Sequence, residues 1–280
     1  MKTEWVFAYK RGKTCLSVFL AVIIVVLLAL LEVGCKERGQ QEVSVIGSTS
    51  IQPFAELLGE EFHKKHPGTN IVVQGGGSTA GLQALASGIA DIGMCSRPLS
   101  SEEANVFVPI VIARDGLAIV VHPNNPIKAL TLQQVHKIFS GQITNWKELG
   151  GNDQGVRLIM REEGSGTREA FVKLVMGKMR VSPKALVQES NGAVKELVKS
   201  DPAGIGYMSL GLVGGEVKAL IIDGVTPVCS EVAAARYPLS RPFLLVVKTQ
   251  PQPSVQEFID FVLSPEGQRT LEMEGLVRAK

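Results

Sequence analysis

VSVIGSTSIQPFAELLGEEFHKKHPGTNIVVQGGGSTAGLQALASGIADIGMCSRPLS, residues 43–100, carries the pattern that decides the fold. Residues 43–47 are a short β-branched run of the kind that forms a buried strand. Ile51, Phe54, Leu57, Leu58 and Phe62 then recur at helical spacing until Pro67 and Gly68 end the segment. A second strand is expected over 70–73, a helix over 78–87 closed by Gly88, and a third strand over 90–94. Strand-helix units of this length imply a mainly parallel sheet with helices on both faces, an α/β fold.

Outward from this stretch the alternation continues. Strands are expected over 118–122 and 243–248. Between them lie a helix over 132–139, a strand over 156–160 and helices over 165–176 and 192–199. Two helical segments, 255–263 and 265–274, close the chain. The strands near 118 and 243 bracket an inserted strand-helix series, so residues 43–117 plus 243–280 read as domain I and residues 121–238 as domain II.

The first 40 residues are of another kind. Residues 14–31 (TCLSVFLAVIIVVLLALL) carry no charge and follow Lys10, Arg11 and Lys13, as a targeting or anchoring segment does. Leu31-Glu32-Val33-Gly34-Cys35 resembles a lipobox, in which the cysteine receives a lipid and becomes the new N-terminus. Residues 1–34 are then a leader, Cys35 the lipidated residue, and 35–42 a polar tether to the fold. An uncleaved membrane-spanning leader is the other reading, and both export the rest of the chain.

Removing the leader takes four basic residues (Lys2, Lys10, Arg11, Lys13) and two acidic ones (Glu4, Glu32) from totals of 29 and 27, leaving 25 of each. A neutral mature protein has no basic field for nucleic acid or an anionic surface, so an anion must be held locally. Cys95 and Cys229 remain as a permitted but unframed disulfide pair. His63, His66, His122 and His136 show no metal-ligand spacing, so no metal or other cofactor is expected.

Four segments place hydroxyls and backbone N–H groups where strands turn into helices: Gly47 to Ser50, Gly75 to Thr79, Cys95 to Arg97, and Arg161 to Thr167. The first turn of a helix offers unpaired N–H groups and partial positive charge to an oxyanion. Each segment alone also reads as ordinary capping. Together, at the carboxyl ends of parallel strands, they gather on the sheet edge where open α/β folds bind ligands. Arg161 can add one planar, bidentate charge, with pairing to Glu162 or Glu163 as its other role.

GSTSIQPFAELLGEEF, GGGSTAGLQALASGIADIGMCSRPLS, ARDGLAIVVHPNNP, LTLQQVHKIFSGQITNWKELGG, REEGSGTREAF and DPAGIGYMSL occur in the order and spacing of a known family. The chain resembles the phosphate-binding proteins of phosphate ABC transporters, mostly over residues 43–211. The resemblance implies a type II periplasmic-binding-protein fold, two α/β domains joined by two hinge strands around a ligand cleft. It implies a monomer that binds inorganic phosphate outside the cytoplasm, without catalysis, and delivers it to a transporter permease. By position it assigns Thr49 and the backbone N–H of Ser50, Ser78, Ser96, Arg161, Ser165, Gly166 and Thr167 to the ligand. Arg97 either reaches the ligand or pairs with a neighbouring carboxylate. Some members carry aspartate where this chain has Ser96; a carboxylate accepts the proton of hydrogen phosphate, and a serine is a weaker acceptor. Sulfate and molybdate therefore stay open as ligands.

Two other classes compete. A hydrolase built on Ser165 or Ser78 would lack the Gly-x-Ser-x-Gly elbow, a Ser-x-x-Lys pair in the mature chain and a well-placed histidine. A sensory surface protein with the same fold remains a reading, because one fold serves several functions.

Overall fold

The computed structural model describes residues 41–279, so the leader, Cys35 and the tether up to Gln40 lie outside the described residues. The chain opens as expected: β1 (Gln41–Gly47), α1 (Gln52–Lys65), β2 (Thr69–Gly75), α2 (Ser78–Ser87) and β3 (Ile92–Cys95). The apolar face of α1 is buried through Phe54, Ala55, Leu58 and Phe62, and His66 ends the helix by donating its N–H to Phe62 O. Gly77 at φ +90° and Gly88 at φ +78° flank α2, taking backbone conformations that L side chains avoid.

Then follow β4 (Val108–Val121), α3 (Leu132–Phe139), β5 (Arg157–Arg161), α4 (Gly166–Phe171), β6 (Leu186–Gln188), α5 (Asn191–Ser200) and β7 (Gly204–Ser209). The chain returns through β8 (Ser240–Val247) and ends on α6 (Pro253–Leu263) and α7 (Pro265–Met273). The helix expected over 165–176 is divided: α4 gives way to a π-helical turn, Val172–Met176, which Gly177 ends at φ +57°.

Sheet order is β2-β1-β3-β8-β4-β7-β5-β6. The expected mainly parallel sheet is corrected at its centre. β1 pairs in parallel with β2 and β3, and β5 with β6 and β7, but β8 runs against β3 and β4, and β4 against β7. The strand expected over 118–122 begins at Val108, because Arg114 and Asp115 interrupt an apolar run that is nonetheless extended. This long strand serves two partners. Residues 108–116 pair with β8 and residues 117–121 with β7, so hydrogen bonding is continuous while the packing is not.

Two main cores lie on either side of that changeover. One joins Val43, Phe54, Phe62, Met94, Phe243 and Leu245 to Phe258, Ile259 and Val262 of α6 and Leu271 of α7. The other joins Leu117, Ile119, Phe139, Trp146, Phe171, Tyr207 and Leu239. In the second, Phe171 stacks on Tyr207 at 4.0 Å and meets Phe139 edge-on at 4.6 Å. The C-terminal helices thus cover the half that begins the chain, giving two α/β halves joined by β4 and β8. Cys95 and Cys229 are free thiols. No described helix is long and apolar enough to cross a membrane.

The strand directions matter for function. β1, β2 and β3 end at Gly47, Gly75 and Cys95, while β5 and β7 end at Arg161 and Ser209, and Ser209 lies opposite Leu117 at the middle of β4. The carboxyl ends of both strand sets therefore converge on the changeover. Gly47 is critical there: φ is +146°, a Cβ would run into Met94 O and lie 2.9 Å from Met94 N, and Gly47 O accepts from Gly76 and Gly77 N–H at 2.9 Å each. Gly47→Ala is expected to lose about 3 kcal/mol of stability, from backbone strain plus overlap with β3. Urea unfolding checks this through a lower midpoint at unchanged slope.

Candidate anion site

Arg161, the last residue of β5, is 1% exposed, and its guanidinium is gripped from several directions. Nε donates to Glu162 Oε2 (2.8 Å) and Gln188 O (3.2 Å). Nη2 donates to Glu162 Oε1 (2.9 Å), Glu189 O (3.2 Å) and Thr49 Oγ1 (3.1 Å). The Arg161 backbone N–H donates to Tyr207 Oη at 3.1 Å, and burial pushes the Tyr207 phenol up to about 12, so this hydroxyl stays neutral. Among the described residues Nη1 has no hydrogen-bond partner, although it is buried. A buried guanidinium donor without an acceptor is costly, and an oxyanion is its natural complement.

Around this cation the structure brings together hydroxyls from both halves. Ser50 Oγ and Thr167 Oγ1 share a 2.8 Å hydrogen bond, and Ser78 Oγ lies 3.5 Å from Ser96 Oγ while accepting from Ser96 N–H at 3.1 Å. Ser50, Ser78, Ser96, Ser165 and Thr167 are all buried. Gly166 is wedged against them. A Cβ there would overlap Ser78 Oγ and lie 2.8 Å from Ser96 Oγ. Ser165 caps α4, its Oγ accepting from Arg168 N–H at 3.3 Å with its own proton left over. The N–H groups of Gly166 and Thr167 belong to that first turn, where no intrahelical carbonyl serves them.

Two of the candidate residues, Ser50 and Arg97, have partners within the protein. Ser50 N–H donates to Ser48 Oγ at 3.2 Å, so it is the Ser50 hydroxyl that joins the cluster. Arg97 is held by carboxylates: Nη1 and Nη2 donate to Glu103 at 2.7 and 2.9 Å, and Nε lies 2.6 Å from Glu169 Oε2, near enough to pair but not aligned for a hydrogen bond. The hydrogen bonds to Glu103 raise the Arg97 pKa further. Of the two roles open to Arg97, the structure shows pairing.

Three polar residues absent from the sequence reading complete the cluster. Arg241 on β8 donates from Nε and Nη2 to Asp115 Oδ2 on β4 (3.0 and 2.9 Å), from Nη1 to Thr167 Oγ1 (2.8 Å) and from Nη2 to Ser50 Oγ (3.2 Å). Burial pushes the Asp115 carboxyl up, against the pull of Arg241 and Ser209. Asn191 at the start of α5 donates from Nδ2 to Ser50 Oγ (2.8 Å) and Thr49 Oγ1 (3.4 Å). The signal for Asp115 and Arg241 was a charge inside each of two apolar strands. Asn191 had none beyond an ordinary helix start.

A family model described as "PBP superfamily domain" matches residues 36–266. The Bacillus subtilis phosphate-binding protein PstS is 32% identical over 240 residues, 84% of this chain and 80% of the relative. A crystal structure from Clostridium perfringens, described as a phosphate ABC transporter substrate-binding protein with bound phosphate, is 40% identical with a TM-score of 0.83, covering 86% of this chain and all of that one. An ABC-type phosphate transport receptor from Vibrio cholerae is also 40% identical, with a TM-score of 0.71 over 84% of this chain and 99% of its own. With a match across most of its length and the expected α/β halves, the chain belongs to the PBP superfamily, in the family of phosphate-binding proteins of phosphate ABC transporters.

Proposed function

We propose that this chain binds inorganic phosphate outside the cytoplasm and delivers it to an ABC transporter permease. The observation that carries this reading is Arg161, buried with a free Nη1 among hydroxyls from both halves. The relatives' names and the phosphate bound in the Clostridium perfringens protein support the choice of anion. Thr49, Ser78, Ser96, Arg161, Ser165, Gly166 and Thr167 are the proposed ligand residues, with domain I (43–117 plus 243–280) and domain II (121–238) closing over them.

The chain acts as a monomeric binder, not an enzyme. Ser78 and Ser165 hydroxyls accept backbone N–H groups, whereas His63 engages Thr69 O, His66 stacks on Phe62 and His122 accepts from Asn124 N–H. None of these contacts makes a histidine the base of a nucleophilic serine. Calorimetric titration with phosphate, arsenate, sulfate and molybdate tests the reading. Phosphate binding with arsenate close behind is the expected result, and heat from sulfate or molybdate alone would replace phosphate as ligand.

Attachment to the membrane goes through a lipid on Cys35. Cys35→Ala is expected to leave an unprocessed precursor that takes up no labelled fatty acid. Equal labelling of variant and parent overturns the anchor.

A further inference from the structure

The hydroxyls of the cluster have fixed donor and acceptor roles. A hydroxyl oxygen has two lone pairs and one proton. Ser50 Oγ accepts from Asn191 Nδ2 (2.8 Å) and Arg241 Nη2 (3.2 Å), which fills both lone pairs. Its 2.8 Å bond to Thr167 Oγ1 must then be one in which Ser50 donates. Thr167 Oγ1 accepts that proton and a second from Arg241 Nη1 (2.8 Å), so its own proton has to leave the cluster. Thr49 Oγ1 accepts from Arg161 Nη2 (3.1 Å) and Asn191 Nδ2 (3.4 Å) and is in the same position.

The two groups at the head of the chain have fixed orientations. Asn191 Oδ1 accepts from Ser209 N–H at 3.1 Å, which turns its amide NH2 toward Thr49 and Ser50. Arg241 has no acceptor atoms, and its remaining donors are taken by Asp115 Oδ2 and by Ser96 O at 3.4 Å. Arg161, by contrast, keeps Nη1 unpartnered. One guanidinium is free for a ligand and the other is used up in orienting hydroxyls.

We propose that Asn191 and Arg241 are positioning residues that lock Thr49 and Thr167 as obligate proton donors, with Ser50 relaying the direction, so that acceptance of a ligand proton is left to Ser78, Ser96 and Ser165, whose lone pairs are not all taken. The inference rests on the phosphate reading above and adds a selection rule to it. One side of the site takes only deprotonated oxygens. A dihydrogen phosphate, with two P–OH groups, has fewer bare oxygens to offer the locked donors than hydrogen phosphate has.

Binding is therefore expected to weaken as phosphate gains its second proton, and to do so less once the lock is broken. The charged and titratable groups around the cluster are Arg97 and Cys95 from the first half, Arg161, Glu162, Arg168, Glu169 and Tyr207 from the second, and Asp115 and Arg241 on the crossing strands. Sulfate gains no proton between about pH 6 and pH 8, so any change in its binding over that range comes from the protein and is subtracted.

The experiment is calorimetric titration of the parent, Asn191→Ala and Ser50→Ala with phosphate and sulfate at about pH 6 and about pH 8. Urea melts establish that each variant is folded. At the higher pH each variant is expected to bind phosphate about tenfold more weakly than the parent, the loss of one well-made hydrogen bond. At the lower pH the gap closes, because the freed lone pairs of Thr49 or Thr167 accept the extra ligand proton. Ser50→Ala removes one acceptor of the Asn191 amide but keeps its bond from Ser209 N–H, so the rule stays testable if Asn191→Ala does not fold. Equal weakening at both pH values reduces these residues to structural support and overturns the proposal while leaving phosphate as ligand. A parent that fails to bind phosphate overturns the functional reading, and the proposal with it.

Discussion

Arg161→Ala is expected to weaken phosphate binding by about 2 to 5 kcal/mol, the range for removing one member of a desolvated charge pair. With the guanidinium gone, the anion stays buried among hydroxyls and next to Glu162, whose carboxylate has lost the partner it grips at 2.8 and 2.9 Å. Glu162 then repels the ligand instead of orienting its counter-charge. The fold suffers less. Arg161 also donates to Gln188 O and Glu189 O, so the segment after β6 loosens and stability falls by about 1 to 3 kcal/mol. Arg161→Lys restores the charge without the planar fork and is expected to fall between parent and alanine. Calorimetry with phosphate, beside urea unfolding without it, separates the two effects. Affinity equal to the parent's would show that the anion lies elsewhere.

What could be read from the sequence followed from local physics. The stop of α2 is set by Gly88, whose positive φ angle a side chain would resist, and in the structure α3 starts on a capping box formed by Thr131 and Gln134. Residues at such turns, Thr49, Ser78 and Gly166 among them, were legible because helix starts have a composition of their own. Asp115, Asn191 and Arg241 were harder. Their roles depend on β4 and β8 pairing Asp115 with Arg241 across the changeover and on α5 starting beside Ser50, and both are non-local facts. The same holds for the antiparallel centre of the sheet. Alternating strands and helices imply parallel pairing only while each crossover returns to the same side, and β8 instead comes back from the second half running against β3 and β4.

Gly166→Ala is expected to cost phosphate affinity at least about a hundredfold while leaving unliganded stability nearly unchanged. The opposing effects can be placed separately. Within its own half, Gly166 is the first residue of α4 and has no positive φ, so alanine is acceptable there and better than glycine by up to about 1 kcal/mol. The three atoms nearest to the added methyl all belong to the other half. The methyl overlaps Ser78 Oγ and comes within 3.0 Å of Ser78 Cβ and 2.8 Å of Ser96 Oγ, all carried by the first half. Both serines are buried, Ser78 at the start of α2 and Ser96 just after β3, and the Ser78 hydroxyl is held by Ser96 N–H, so neither side can give way cheaply. The halves also meet where Thr79 N–H donates to Gly164 O at 3.0 Å and Arg161 Nη2 to Thr49 Oγ1, so a methyl that props them apart removes those contacts together. Small-angle scattering distinguishes this from simple loss of a ligand group. The parent should contract on adding phosphate, Arg161→Ala should contract at high phosphate concentration, and Gly166→Ala should stay extended at any concentration. Contraction of Gly166→Ala at parental phosphate levels would mean that the two halves never approach this closely when the anion is bound.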